Sequence, residues 1–195
     1  MKGILNLTWR LAVITIIAGL LLGGTYVLTK DPIAEQTAQA NTLARQEVLS
    51  PASEFEQVEI GDRSESEYES IEEVYLGKDA TGNTVGATVK MNVKGFNPGI
   101  ELTVGIQSDG TVSGIQISAH EETPGLGAKA TEPEFSDQYK GKPADGSISV
   151  IKNGTPAENE IVAITWATIT SNGITSAVNL AAQYYAENLA DKEAA

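Results

Sequence analysis

The sequence predicts an α+β fold: a twisted antiparallel sheet with packed helices, preceded by an N-terminal transmembrane helix and a stalk. Three observations predict it. Residues 11–28 form an uncharged apolar run, LAVITIIAGLLLGGTYVL. From Val74 onward, short segments alternate apolar and polar residues between glycine-containing turns, as hairpin-linked strands do. The chain then returns to helical spacing from Gly173 to Leu189, so strands and helix are segregated rather than interleaved.

Composition sets the outer bounds. The chain has 195 residues, 41% hydrophobic and 20% charged, which suits one compact domain plus an anchor rather than a disordered segment. Nineteen glycines point to many turns. The first thirty residues hold Lys2, Arg10 and Lys30 and no acid, so all 26 acids follow, against 10 bases, a net charge near −16. Such a surface repels phosphates, which argues against nucleic acid as a partner. Cysteine is absent, which excludes disulfides, cysteine-ligated clusters and c-type haem attachment.

The anchor comes first, over residues 1–30. Eighteen residues from Leu11 to Leu28 extend about 27 Å as a helix, close to the ~30 Å hydrocarbon thickness. Trp9 and Tyr26 flank the run, where interfacial aromatics sit. A cleaved signal peptide is the competing interpretation. Its apolar region is ordinarily ~7–15 residues, and the nearest A-x-A, Ala38-Gln39-Ala40, lies beyond a charged stretch. Lys2 and Arg10 precede the run, which favours a cytoplasmic N-terminus, a single pass through the cell membrane and an extracytoplasmic domain.

Residues 31–73 read as a stalk helix followed by an acidic segment. Pro32 can open a helix over Ile33–Leu49 that continues from the span. Glu54–Glu73 holds nine acids against Arg63, a solvated face or a dock for a basic partner. The extracytoplasmic domain is expected over 74–195. Thr81-Gly82-Asn83 separates strands Glu73–Leu76 and Val85–Val93, and Asp109-Gly110 separates the Leu102/Val104/Ile106 strand from Val112–Ile117. Gly114 interrupts that last strand and suggests a bulge. His120–Gly146 is loop-rich, Ile148–Ile151 and Ile161–Trp166 are apolar runs, and Ile174, Val178, Ala181, Ala182, Tyr185 and Leu189 share one face of the last helix.

Two segments carry chemistry. In His120-Glu121-Glu122-Thr123-Pro124-Gly125-Leu126-Gly127, a proline and two glycines fix an unusual path and allow backbone N–H groups to approach a ligand. A plain structural turn has the same composition. His120 is the single histidine, so an HExxH zinc site is not available and no metal ligand set is expected. In Thr165-Trp166-Ala167-Thr168-Ile169-Thr170-Ser171, threonines precede the last helix. Their hydroxyls are either ordinary N-caps or part of a phosphate site at the helix N-terminus.

These two segments together resemble the FMN-binding domain shared by the G subunit of the Rnf ferredoxin–NAD oxidoreductase complex and the C subunit of the sodium-pumping NADH–quinone reductase. His120–Gly127 matches H-x-E-T-P-G-L-G, and Val162–Thr168 aligns with the flavinylation motif D-x-x-(S/T)-G-A-T. Thr29-Lys30-Asp31-Pro32-Ile33, Gly95-Phe96-x-x-Gly99-Ile100, Phe135 with Tyr139-Lys140-Gly141-Lys142, and Ile169-Thr170-Ser171 fit as well. The short chain favours the Rnf type.

The resemblance implies FMN joined by a phosphoester to Thr168, which makes the chain formally a phosphoprotein. It implies that Glu122, Thr123, Gly125, Leu126 and Gly127 line the flavin site, with Thr165, Ala167 and Thr170 around the tether and Lys152 near the cofactor. It further implies an electron-transfer subunit, not catalytic alone, in a membrane complex. That complex would couple ferredoxin oxidation and NAD reduction to Na+ or H+ translocation, with a membrane flavin subunit, iron–sulfur subunits, integral membrane subunits and the lipid bilayer as partners.

The motif's aspartate is Val162 here and its glycine is Trp166. A tryptophan does not readily replace a glycine where φ is positive or where the backbone must pass close to a ligand. Either the turn tolerates the side chain, or the transferase does not recognise the site and the protein is a flavin-free structural component of the complex. Trp166 stacking on a flavin ring, and a standalone anchored flavoprotein serving an external reductase, are further alternatives.

Overall fold

The computed structural model describes residues 2–61 and 67–190. Residues 62–66 of the acidic run, Arg63 among them, lie outside the described residues. The chain divides into two compact units, residues 1–41 and 42–195.

The first unit is helical. Helix α1 runs from Lys2 to Val48, without interruption at Pro32. The sequence suggests that Pro32 opens a helix; instead it lies inside one. Proline there removes a single N–H···O bond, which a long flanking helix tolerates. None of the apolar run 11–28 of α1 is buried, and by length and composition α1 is long and apolar enough to cross a membrane.

The second unit takes in the last turns of α1, which end on a sheet. Strands β1 (Glu54–Gln57), β2 (Ile71–Lys78), β3 (Thr84–Val93), β4 (Ile100–Gln107) and β5 (Val112–Ala119) form one antiparallel sheet in the order β1-β2-β3-β4-β5. Every neighbour in space is a neighbour in sequence, and two tight turns join β2 to β3 and β4 to β5. In the first, Gly82 takes φ +87° and the Asp79 carboxylate accepts from the Thr81 and Asn83 N–H groups. In the second, Gly110 takes φ +80° and Asp109 accepts from Thr111 N–H. The bulge expected near Gly114 is present: Gly105 pairs with Gly114 and Ile106 with Val112, leaving Ser113 over. β1 lies inside the acidic run, where the sequence predicts no strand; its half-buried Phe55 is flanked by exposed acids and gives little alternation to detect.

Both faces of the sheet are covered. On one, Ala44, Val48, Leu49 and Ala52 at the end of α1 are buried. They fit because glycines lie beneath them: a Cβ on Gly77 would meet Leu49 Cδ2 at 2.5 Å and Ala52 Cβ at 2.8 Å. Ser113 Oγ donates to the Val48 carbonyl, capping one of the orphan acceptors at the helix end. The guanidinium of Arg45 bonds Glu73 at 3.2 Å and lies 4.0 Å over the Tyr75 ring.

On the other face lies α3 (Thr168–Asn188), whose Ile174, Ala177, Val178, Ala181, Ala182 and Tyr185 are buried, the face the sequence periodicity gives. α3 starts at Thr168, five residues before the expected Gly173. Between β5 and α3 the chain forms a 3-10 turn at Gly127–Thr131, the short helix α2 (Pro133–Ser136) and a second 3-10 turn at Asp137–Tyr139. Tyr139 is buried, edge-on to Phe135, and its hydroxyl lies 2.7 Å from Thr175 Oγ1. The two late apolar runs become β6 (Ser149–Ile151) and β7 (Glu160–Val162), which pair in parallel as a separate two-stranded sheet and not within the antiparallel one.

Candidate functional site

Three loops converge at one end of the sheet: the β3–β4 turn at 94–99, the 120–127 segment and the 163–167 turn that leads into α3. Glu122 ties them together. It is 6% exposed, and both of its carboxylate oxygens accept hydrogen bonds. Oε1 accepts from Asn97 N–H at 3.0 Å, in the first loop, and Oε2 from the Thr170 hydroxyl at 2.8 Å, in the first turn of α3. Asn97 Nδ2 also donates to the Glu121 carbonyl at 2.6 Å. Hydrogen bonds to a charged group are worth about 1.5–3 kcal/mol each, so Glu122 is a strong tie among the three.

Glycine makes room for that tie. A Cβ on Gly127 would lie 2.9 Å from Glu122 Cδ and 2.7 Å from Thr170 Oγ1, and closer still to Oε2; a Cβ on Gly95 would lie 2.5 Å from Oε1. Gly173 lets α3 sit directly on Lys94 and Gly95, since a Cβ there would collide with the Lys94 carbonyl. Gly125 serves differently: its surroundings are open, but its φ is +79°, which reverses the chain after Pro124.

The loops enclose a cleft of about 460 Å³ with Glu122, Thr123, Leu126 and Gly127 on one side and Trp166, Ala167, Thr168, Ile169 and Thr170 on the other, closed by Phe96. Its walls are apolar and wet. Phe96 is 63% exposed, Leu126 39%, Trp166 87% and Ile169 60%. Among the described residues of the second unit, every exposed large apolar side chain but Leu43 lies here. An apolar cleft with a few convergent polar groups is the usual form of a small-molecule site.

At the base of the cleft α3 begins. Ala167 is its N-cap residue, without a side-chain cap, and Thr168 is the first helical residue. The N–H groups of Thr168, Ile169 and Thr170 have no intrahelical acceptor, as in any first turn, and the helix dipole adds partial positive charge there. Ser171 fixes the turn from below: its Oγ accepts from Ile164 N–H at 3.0 Å and donates to the Ala167 carbonyl at 3.0 Å. The half-buried Thr168 makes no side-chain hydrogen bond among the described residues, so its hydroxyl is available beside those amides. The arrangement can hold a planar apolar ring between the walls and an anionic oxygen group at the helix end.

Of the site residues read from the sequence, Glu122, Thr123, Leu126, Gly127, Ala167, Thr168 and Thr170 line this cleft. Gly125 shapes its loop without lining it. Thr165 lies on a separate concavity of about 500 Å³ with Lys129, Phe135, Gln138 and Val162. Lys152 follows β6, is exposed and lines neither. Phe96 and Ile169 also line the cleft; the sequence places them in the resembling segments Gly95-Phe96-x-x-Gly99-Ile100 and Ile169-Thr170-Ser171 without assigning either to the site. Each of the two motif departures has a defined backbone setting. Trp166 has φ +67°, the single non-glycine residue with positive φ among the described residues, so the turn does accept a side chain in the glycine conformation. Val162 ends β7, where Gln138 acts as a surrogate strand: its Oε1 accepts from Val162 N–H at 2.7 Å and its Nε2 donates to the Val162 carbonyl at 3.2 Å.

With this geometry in place, comparison with known proteins is specific. Residues 95–183 match the FMN-binding domain and residues 1–48 match the RnfG N-terminal region. The chain is 42% identical to the G subunit of the Na(+)-translocating ferredoxin:NAD(+) oxidoreductase complex of Acetobacterium woodii, over 94% of this chain and 92% of that one. It is 35% identical to the G subunit of the ion-translocating oxidoreductase complex of Methanosarcina acetivorans, over 94% and 95%. Among solved structures, the C subunit of the Na(+)-translocating NADH-quinone reductase of Parabacteroides distasonis superposes with a TM-score of 0.58 at 20% identity, covering 78% of this chain and 94% of that one; it shares the fold.

Proposed function

The chain belongs to the family of G subunits of Rnf-type ion-translocating oxidoreductase complexes, and on that premise we propose that it is an electron-transfer subunit with FMN esterified through its phosphate to Thr168. The observation that carries this proposal is the available Thr168 hydroxyl at the start of α3, in a cleft whose other walls are exposed apolar side chains. The residues fit the cofactor: the unpaired first-turn amides suit a phosphate diester, and Phe96, Leu126 and Ile169 suit a flat ring. Bound there, FMN supplies the redox chemistry, which no side chain of this cleft has.

The protein's own part is positional. Glu122 holds the three loops at fixed spacing, Gly127 keeps the 120–127 loop close to α3, and the apolar walls offer surface for the ring to cover. A covalent tether suits an extracytoplasmic domain, which cannot recover a cofactor lost by dissociation. We place the anchor at residues 1–30 with the N-terminus cytoplasmic, and the complex's redox and membrane subunits as partners, ferredoxin and NAD reacting elsewhere in the assembly. The apolar run of α1 supports the anchor.

Intact mass of the full-length chain, purified from a host with a flavin transferase, tests the tether. The parent is expected about 438 Da heavier than its sequence, the mass of FMN less water, and Thr168→Val unmodified. A second reading, a flavin-free structural role, is favoured by one observation: an 87%-exposed indole stands where the motif has glycine, two residues before Thr168. An unmodified parent chain selects that reading.

A further inference from the structure

Trp166 combines two unfavourable features. A side chain at φ +67° costs roughly 1–2 kcal/mol that glycine would not incur. The indole it carries is 87% exposed, although tryptophan has among the largest apolar surfaces of any residue. No hydrogen bond or ring contact within the chain compensates: Trp166 has none among the described residues. Non-glycine residues held in this region of backbone space persist chiefly at functional sites. This one stands on the rim of the cleft, two residues before the Thr168 hydroxyl and in the same lining as Phe96, Leu126 and Ile169.

We propose that Trp166 is a cofactor-contacting residue: its indole packs against the flavin ring tethered at Thr168 and closes the cleft from solvent. This rests on the assignment of FMN to the cleft. The left-handed turn has a purpose here. It sets residue 166 in the same cleft lining as Thr168 and Ile169, so a ring tethered at Thr168 and the indole share one volume. Stacking then recovers the apolar exposure that the free chain shows. An indole held against a flavin also donates an electron to the photoexcited ring, and the electron returns to the indole without net chemistry, so the ring's fluorescence is quenched.

The test uses the full-length chain in detergent from a transferase-competent host, as parent, Trp166→Gly and Trp166→Leu, with intact mass taken on every sample. Flavin emission is compared before and after unfolding in denaturant, which normalises for the amount bound. The parent is expected to gain emission severalfold on unfolding, and both variants to show little gain while keeping the adduct. An equal gain in all three overturns the proposal. So does loss of the adduct in Trp166→Gly, which would make Trp166 part of attachment instead of ring packing. A parent without the adduct overturns the underlying cofactor assignment, and this inference with it.

Discussion

Gly127→Ala is the sharpest test of how the cleft is held. The substitution adds one methyl group, 2.7 Å from Thr170 Oγ1 and 2.9 Å from Glu122 Cδ, and nearer still to the carboxylate oxygen that accepts from Thr170. Ordinary contact is about 3.5–4 Å, so the carboxylate must move by roughly 1 Å. Glu122 is buried and held at both oxygens, so the movement breaks the Thr170 bond and stretches the Asn97 bond. At about 1.5–3 kcal/mol for each bond to a charged group, one lost and one weakened, the expected destabilisation is about 2–4 kcal/mol. For a unit of this size that lowers Tm by roughly 5–15 °C.

The assay is thermal unfolding of the full-length chain in detergent, followed by circular dichroism, with the flavin adduct measured by mass. Two companions isolate the cause. Gly125→Ala has open space but φ +79°, so it loses only about 1–2 kcal/mol and leaves Glu122 in place. Glu122→Asp in the Gly127→Ala background draws the carboxylate back by one methylene and recovers part of the loss, a coupling of about 1 kcal/mol or more. A Gly127→Ala chain that melts with the parent would refute the packing account, and absence of coupling to Glu122→Asp would refute the mechanism.

Other expectations follow from the same contacts. Gln138→Leu removes both bonds to the Val162 backbone, so about 1–3 kcal/mol of stability is lost and the adduct yield falls, read by urea unfolding and intact mass. Arg45→Met removes the Glu73 ion pair and the Tyr75 ring contact, a loss of about 1–2 kcal/mol in a urea titration, smaller at high salt if the pair dominates. Tyr139 is buried, and burial pushes its phenol up from the ordinary value; the Thr175 bond opposes this only in part. The folded value is raised, so the contribution is fully present below the unfolded value of about 10 and is lost as pH rises above it. Tyr68 shifts the same way, chiefly by burial and then by its bond to Glu187. Urea titrations should therefore give flat stability from about pH 7 to 9.5 and a decline above 10 that Tyr139→Phe makes shallower.

The main hairpins were legible because their turns state themselves. Asp79-x-Thr81-Gly82-Asn83 and Asp109-Gly110 pair a side-chain acceptor with a positive-φ glycine, a local signal that needs no tertiary context. The buried face of α3 was legible for a similar reason, since its period of 3.6 survives in Ile174, Val178 and Tyr185. β1 was not, because four residues with three exposed carry no usable alternation. The start of α3 reads late in the sequence because Ser171 and Thr170 look like caps there. In the fold they turn inward, to Ile164 and Glu122, and the helix begins ahead of them. Lys152 enters through resemblance alone, and no local signal in the sequence could test its distance from the cleft.

The flavinylation segment illustrates what a motif departure does and does not mean. Read as letters, Val162 and Trp166 remove two of the pattern's fixed positions. Read as backbone, both positions are defined: Gln138 pairs the N–H and C=O of Val162, and Trp166 adopts the left-handed conformation that favours glycine. For the tether proposed above, the segment would have to deliver a hydroxyl at the first residue of α3, with free amides beside it, and Ser171 and Glu122 fix that helix start through bonds that use no side chain of residues 162 and 166. On the proposed tether, recognition by a transferase and the helix start that would hold the phosphate are therefore separable properties. Trp166→Gly distinguishes them: a rise in adduct yield would mean that the indole hinders the transferase, whereas an unchanged yield would mean that the transferase is indifferent to the side chain at this position.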